Sequence, residues 1–214
     1  PQPGNGDRAL CCGRTFLSNG LVEEAKLEID RMMQALRPFV RKGIPIVGLE
    51  PSCLLTLRDE YLALCPGPEA EQLAKNSFML EEFLAREMDA GKLDLKLQAL
   101  GTKRALLHGH CHQKAFAVLS PVQRILGLIP ELKVETIDSS CCGMAGSFGY
   151  EKEHYAASMS MGSLSLFPAI DKEDPETLII ADGTSCRGQI EHGTGRAPLH
   201  VARVLQMALS QPQC

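Results

Sequence analysis

The chain has 214 residues, 44% hydrophobic and 22% charged, which is enough apolar side chain for one sizeable core or two small lobes and excludes a disordered polypeptide. A net charge of −4 and a pI near 5.9 argue against a basic surface for nucleic acid or for an anionic membrane face. Nine cysteines, an odd number in a chain too long for a small disulfide scaffold, point to metal binding or redox chemistry.

The apolar runs are too short to cross a bilayer. The start, PQPGNGDRAL, has neither an apolar signal core nor an initiating Met, so the expected location is cytoplasmic, where thiols stay reduced, and the chain reads as cut from something longer.

In chain order, Cys11-Cys12-Gly13 comes first. Apolar periodicity predicts a helix over residues 21–37 with Pro38 as its stop. Residues 44–49 predict a strand, and Ser52-Cys53 opens what reads as another helix. Leu73, Phe78, Met79, Leu80, Phe83 and Leu84 give residues 66–93 an apolar helical face, with Gly91 as a stop, so a helical insertion is expected there. Arg104-Ala105-Leu106-Leu107 predicts a strand leading into His108-Gly109-His110-Cys111-His112. Ser139-Ser140-Cys141-Cys142-Gly143 follows, then a predicted helix over residues 151–167, a strand ending at Ala181, and Ser185-Cys186 opening a last helical stretch.

Two segments mirror each other. Forty residues separate Cys12 from Cys53, and 43 separate Cys142 from Cys186. Each interval runs Cys-Cys-Gly, helix, strand, Ser-Cys, and that shared order argues for an internal duplication. The expected fold is therefore α/β: two related Rossmann-like halves with mostly parallel sheets, a pseudo-two-fold duplication and a helical insertion between them. The boundaries are a first repeat at residues 1–64, the insertion at 65–103 and a second repeat at 104–214. Cys53, Cys111 and Cys186 each follow a predicted strand, so all three are expected on the rim where such folds place their sites.

Thiolates are soft ligands that suit iron–sulfur clusters and zinc. Neighbouring side chains of an extended strand point apart, so Cys141 and Cys142 can reach one site only from a turn. Gly143 supplies the turn, and Gly146 keeps the following loop small and its N–H groups free to face a cofactor.

The pattern Cys111-x29-Cys141-Cys142-Gly143-x42-Cys186 resembles the cysteine-rich CCG domain. That domain occurs in heterodisulfide reductases, in the iron–sulfur subunit of glycolate oxidase, and at the end of large FAD-linked 2-hydroxy-acid dehydrogenases. HGHCHQKA, DSSCCGMAGSFGYEKEHY and GTSCRGQIEHGTGRAPLHVARVL carry the likeness in the second half, and CCGRTFLSNGLVEEA and VGLEPSCLLTLRDEY carry it in the first. The resemblance implies a [4Fe–4S] cluster on Cys111, Cys141, Cys142 and Cys186, and a related second site on Cys11, Cys12 and Cys53. It also implies FAD on another part of the intact protein, a flavin-domain partner, and an acceptor such as a quinone or carrier, which would place the protein peripheral to the inner membrane. The fragment itself is not expected to be catalytic alone. A structural zinc or thiol domain for assembly is the alternative of a different class, and a thiol–disulfide reductase-type cluster site is a third.

Two departures from the full motif matter. The family pattern ends Cys-x-x-Cys, whereas Gln189 and Thr56 stand at those last positions here. No cysteine precedes Cys11 as Cys111 precedes Cys141, so the first half is expected to lack a strand near its edge. Among other residues, alternation along a strand would put His108, His110 and His112 on one face and Cys111 on the other. One of these histidines is expected to hydrogen-bond locally, while Lys114 or a backbone dipole offsets cluster charge. His154 and His200 read as ordinary helix residues, Arg196 as a solvated surface residue, and Cys65 and Cys214 as bystanders. GSFGY is no dinucleotide fingerprint.

Overall fold

A computed structural model describes residues 8–209, so the expectations for Pro1 and Cys214 lie outside it. The chain divides into two units, Pro1–Met79 and Leu80–Cys214.

The first unit holds α1 (Arg14–Ser18), α2 (Val22–Val40), β1 (Ile46–Gly48), α3 (Pro51–Leu54), α4 (Glu60–Leu64), α5 (Pro68–Asn76) and β2 (Ser77–Met79). Ala25, Ile29, Leu36 and Val40 recur at helical spacing on α2 and are buried, three of them in a core with Cys12, Leu57, Tyr61 and Leu73. Pro38 lies inside this helix instead of stopping it. In the last turn its missing N–H loses only one bond, and the stop is Gly43 (φ +68), where Ile44 N–H reaches Phe39 O and Gly43 N–H reaches Val40 O.

β1 and β2 pair in parallel, Ile46 against Ser77 and Gly48 against Met79. β2 corrects the expectation of an all-helical insertion: Ser77 and Met79 are buried by pairing and packing that a helical reading of the local pattern does not see.

The second unit holds α6 (Leu80–Asp89), β3 (Arg104–His108), α7 (Cys111–Ala115), α8 (Leu119–Leu126), β4 (Lys133–Thr136), α9 (Tyr155–Ser163), α10 (Leu166–Asp171), β5 (Leu178–Ala181), α11 (Thr184–Thr194) and α12 (Val201–Ala208). Its sheet is parallel, in the order β4-β3-β5, and Leu199 adds a parallel bridge to Ile180 on the outer side of β5. The single helix expected over residues 151–167 breaks into α9 and α10. β4 was not among the strands expected from the sequence.

Side chains alternate across this sheet. Ala105, Leu107 and Ile180 enter a core with Val122, Ile125 and Leu126 of α8 and Val204 and Leu205 of α12. Leu106, Ile179 and Ala181 enter the opposite core with Leu166 and Ile170 of α10 and Ile190 of α11. Helices thus cover both faces, as a buried parallel sheet requires. The chain leaves β3 toward one face and β5 toward the other, and the gap between two such strands is where α/β sheets place their sites. At the amino-terminal end of β3, Arg104 clamps the sheet through paired bonds to Glu135 (3.0 and 3.0 Å) and Glu173 (2.7 and 2.9 Å).

Candidate metal centre

Cys111 follows β3, Cys141 and Cys142 follow β4, and Cys186 follows β5, so all four lie past the carboxyl ends of the three parallel strands. Cys111 opens α7, whose N-cap is His110. His110 Nδ1 accepts from His112 N–H (3.1 Å), and Gln113 Oε1 accepts from His110 N–H (3.0 Å). The other end of Gln113 donates to Asp182 Oδ2 (2.7 Å), which ties the loop of Cys111 to the loop of Cys186.

The Cys141–Cys142 turn is as tight as the sequence demands. Gly143 has φ +103, and a Cβ there would lie 2.1 Å from Ser158 O. Ala145 (φ +41) and Gly146 (φ +72) continue the left-handed path. The turn aims backbone donors at the sulfurs, with Gly143 N–H 3.3 Å from Cys141 Sγ. Lys114 Nζ donates to the carbonyls of Ser139 and Ser140 just before the pair. It thus anchors this loop and also favours the Cys111 thiolate through its charge.

The four thiols influence one another in series, Cys111 with Cys141, Cys141 with Cys142, and Cys142 with Cys186, although they span 75 positions of sequence. Cys141 is held far below the usual thiol range, first by Cys111, then by Cys142, with help from the Gly143 and Ala145 backbone. Cys186 is also held low, first by Cys142 and further by the nearby His108 ring. Cys111 and Cys142 are pushed up because each keeps its proton to share with a neighbour. Four thiols gathered at one rim form a concentrated soft-donor site, and this donor set fits a thiolate-held iron–sulfur cluster or zinc.

Among the described residues, two groups of three bring ligand atoms within 4.8 Å of one another: His108 with Cys142 and Cys186, and Glu81 with Asp182 and His200. Histidine alternation along one strand does not hold, because β3 ends at His108, His110 is a helix cap and His112 lies inside α7.

In the first unit Cys11, Cys12 and Cys53 form no group of three with ligand atoms within 4.8 Å of one another. Gly13 (φ +84) turns the Cys11–Cys12 pair, and its N–H lies 3.4 Å from Cys11 Sγ. Cys12 is lowered to about 7, first by a hydrogen bond from Cys53 and then by the Arg14 backbone against the opposing effect of burial; Cys11 adds a further bond. Cys53 is pushed up by the same bond and by burial. Tyr61, fully buried, donates its hydroxyl to Cys12 O (3.1 Å).

Gln189 and Thr56 are both buried and both committed to backbone: Gln189 Nε2 donates to Ser158 O, and Thr56 Oγ1 to Ser52 O (2.7 Å). Arg196 corrects the expectation of a solvated side chain, since its Nη2 donates to the carbonyls of Asp174, Pro175 and Thr177. His200 caps α12, with Nδ1 accepting from Ala202 N–H (2.9 Å). His154 stacks on Phe148 and pairs with Glu151. Cys65 packs at the margin of the first core. Gln113 and Asp182, which align the cysteine loops, carried no sequence signal beyond their proximity to Cys111 and Cys186.

The family model of the cysteine-rich CCG domain matches residues 105–191. The chain is 31% identical over 201 residues to a subunit of the anaerobic glycerol-3-phosphate dehydrogenase of Escherichia coli K12, covering 94% of this chain and 50% of that protein. It is 30% identical over 189 residues to D-2-hydroxyglutarate dehydrogenase of Haemophilus influenzae, covering 84% of this chain and 18% of that protein. It is 25% identical over 214 residues to lactate utilization protein A of an Exiguobacterium species, covering 94% and 83%. The chain therefore spans about half the length of the Escherichia coli relative. No solved structure matches. Among the described residues, no helix is long and apolar enough to cross a membrane. With its four-cysteine rim and this match, residues 105–191 of the chain are a cysteine-rich CCG domain.

Proposed function

We propose that this chain is the iron–sulfur electron-transfer part of a larger FAD-linked dehydrogenase, with Cys111, Cys141, Cys142 and Cys186 as the ligands of a [4Fe–4S] cluster. The observation that carries the reading is the placement of Cys111, Cys141, Cys142 and Cys186 together past the carboxyl ends of β3, β4 and β5. A bound cluster supplies one-electron chemistry, which suits a flavin that receives electrons in pairs and must pass them on singly. The chain's own residues hold and tune: Gly143 and Gly146 shape the turn, the Gly143 N–H donates to sulfur, and Lys114 fixes the loop.

The relatives named above act on glycerol 3-phosphate, 2-hydroxyglutarate and lactate by name, and all three are secondary alcohols. The catalytic partner is therefore a flavin domain or subunit that oxidises such an alcohol, within the 2-hydroxy-acid class or close to it. The acceptor is a quinone or a soluble carrier, and the module is cytoplasmic, at the inner membrane where the acceptor is a quinone.

The halves descend from one duplicated unit, divided near residues 64 and 104, each Rossmann-like. β1 with Cys53 corresponds to β5 with Cys186, and β2 corresponds to the Leu199 bridge beside β5. Cys11, Cys12 and Cys53 form the related second site.

A structural zinc site is the second reading, favoured by the closeness of His108 to Cys142 and Cys186. Elemental analysis of anaerobically purified protein separates the two. The first reading expects about four irons and four sulfides per filled site. Colourless protein with zinc and no iron would sink it.

A further inference from the structure

His108 is the last residue of β3 and is fully buried. Period-two alternation sets it on the side of Leu106, the face whose core also contains Cys142 and Cys186. One ring nitrogen is engaged: Nδ1 lies 3.0 Å from Ser139 Oγ. The other, Nε2, is buried and has no hydrogen-bond partner. A bare buried polar atom is costly to keep, so the fold keeps this one for a reason. What the ring faces is the pair of thiols of Cys142 and Cys186, with the three ligand atoms within 4.8 Å of one another.

We infer that His108 is itself a ligand of the metal centre, binding through Nε2 beside Cys142 and Cys186; this rests on the metal-centre reading above. A ligating histidine gives its other N–H to an outer acceptor, which fixes the tautomer and the ring plane, and Ser139 Oγ is that acceptor here. The neighbouring His110 cannot serve in the same way. Its Nδ1 accepts the His112 N–H, so in the neutral ring the proton sits on Nε2 and no lone pair is left to bind. The centre thus has mixed donors, nitrogen at its buried end and half-buried thiols of Cys111 and Cys141 at the other. With all four cysteines bound, the imidazole is a fifth outer donor to the centre.

The test uses the intact protein labelled with 15N-histidine and purified without oxygen. Metal content is measured first: protein without bound metal overturns the parent reading and this inference together. With iron bound, pulsed electron paramagnetic resonance of the reduced centre reads nitrogen coupling; with zinc bound, X-ray absorption reads a nitrogen neighbour. The expected result is a histidine nitrogen directly bound in wild type and absent in His108→Leu. Ser139→Ala, which leaves the ring in place, should retain the bound nitrogen and alter its coupling. Metal with no histidine nitrogen overturns the inference while leaving the parent reading intact. A bound nitrogen that persists in His108→Leu also overturns it and assigns the ligand elsewhere.

Discussion

Gln189 donates from Nε2 to Ser158 at two atoms, the carbonyl oxygen at 3.2 Å and the hydroxyl at 3.0 Å. Ser158 O is also the atom that a Cβ on Gly143 would strike. One helix carbonyl therefore meets both the residue that stands at the missing fifth-cysteine position and the glycine that turns the cysteine pair. The space a further thiol would need is filled by an amide that braces the turn.

Removing that brace should destabilise without removing a ligand. Gln189→Ala leaves the Ser158 hydroxyl short of a buried partner, with an expected loss of about 1–3 kcal/mol. Denaturant melts of the metal-loaded protein read this directly. An unchanged midpoint would show that the amide does not brace the turn.

Gly143→Val should lower iron and sulfide content although every cysteine remains. The residue has φ +103, and any side chain meets backbone at 2.1 Å, so the turn must open and the two thiols must diverge. Gly188→Ala in α11 is the control: nothing lies within 4 Å of its Cβ, and the helix should gain roughly 0.5–1 kcal/mol. Metal analysis should show a loss in Gly143→Val and no change in Gly188→Ala, while the thermal melts of the two variants move in opposite directions.

Cys141→Ser or Cys142→Ser in the intact dehydrogenase should spare flavin reduction by substrate and abolish reduction of an artificial acceptor. Serine preserves the size but offers a hard, poorly ionised oxygen where iron takes thiolate. Cys65→Ser, at the margin of the first core, should change neither rate. Stopped-flow traces that follow flavin bleaching beside acceptor reduction decide it, and a Cys141 variant with normal acceptor reduction would falsify the relay.

Glu81 makes the second unit sensitive to alkali. Its carboxyl is pushed from 4.5 up to about 8, first by burial and then by the Asp182 charge, with Glu82 adding to the effect. A raised folded-state value means the folded state holds the proton more tightly than the unfolded one. The resulting stability is complete below about 4.5 and is lost as pH climbs through about 8. Asp182 and His200 share that group, so the comparison is made against a variant. Glu81→Gln should gain on wild type across this window, with no further gain above it. Melting midpoints from pH 5 to 9, with chelator present, give the curve; a constant difference would mean that Glu81 does not titrate there.

What could be read from the chain alone was local or repeated. Cys141-Cys142-Gly143 announces a turn because only glycine tolerates that backbone, and Cys11-Cys12-Gly13 repeats it for the same reason. β3 and β5 were visible as short apolar runs, and their cysteines were placed on the rim by the rule that parallel strands offer their carboxyl ends. The tertiary structure decided the rest. β2 and β4 are three and four residues long, too short for a period to declare itself, and they exist because a neighbouring strand pairs with them. Pro38 stays helical because Leu36 and Val40, on either side of it, are buried in a core. His108 meets Cys142 and Cys186 because alternation sets it on the face of Leu106 and the loops after β4 and β5 bring the two cysteines there, which only the folded sheet arranges. Gln113 and Asp182 meet across 69 positions, and only the folded sheet brings the two loops together.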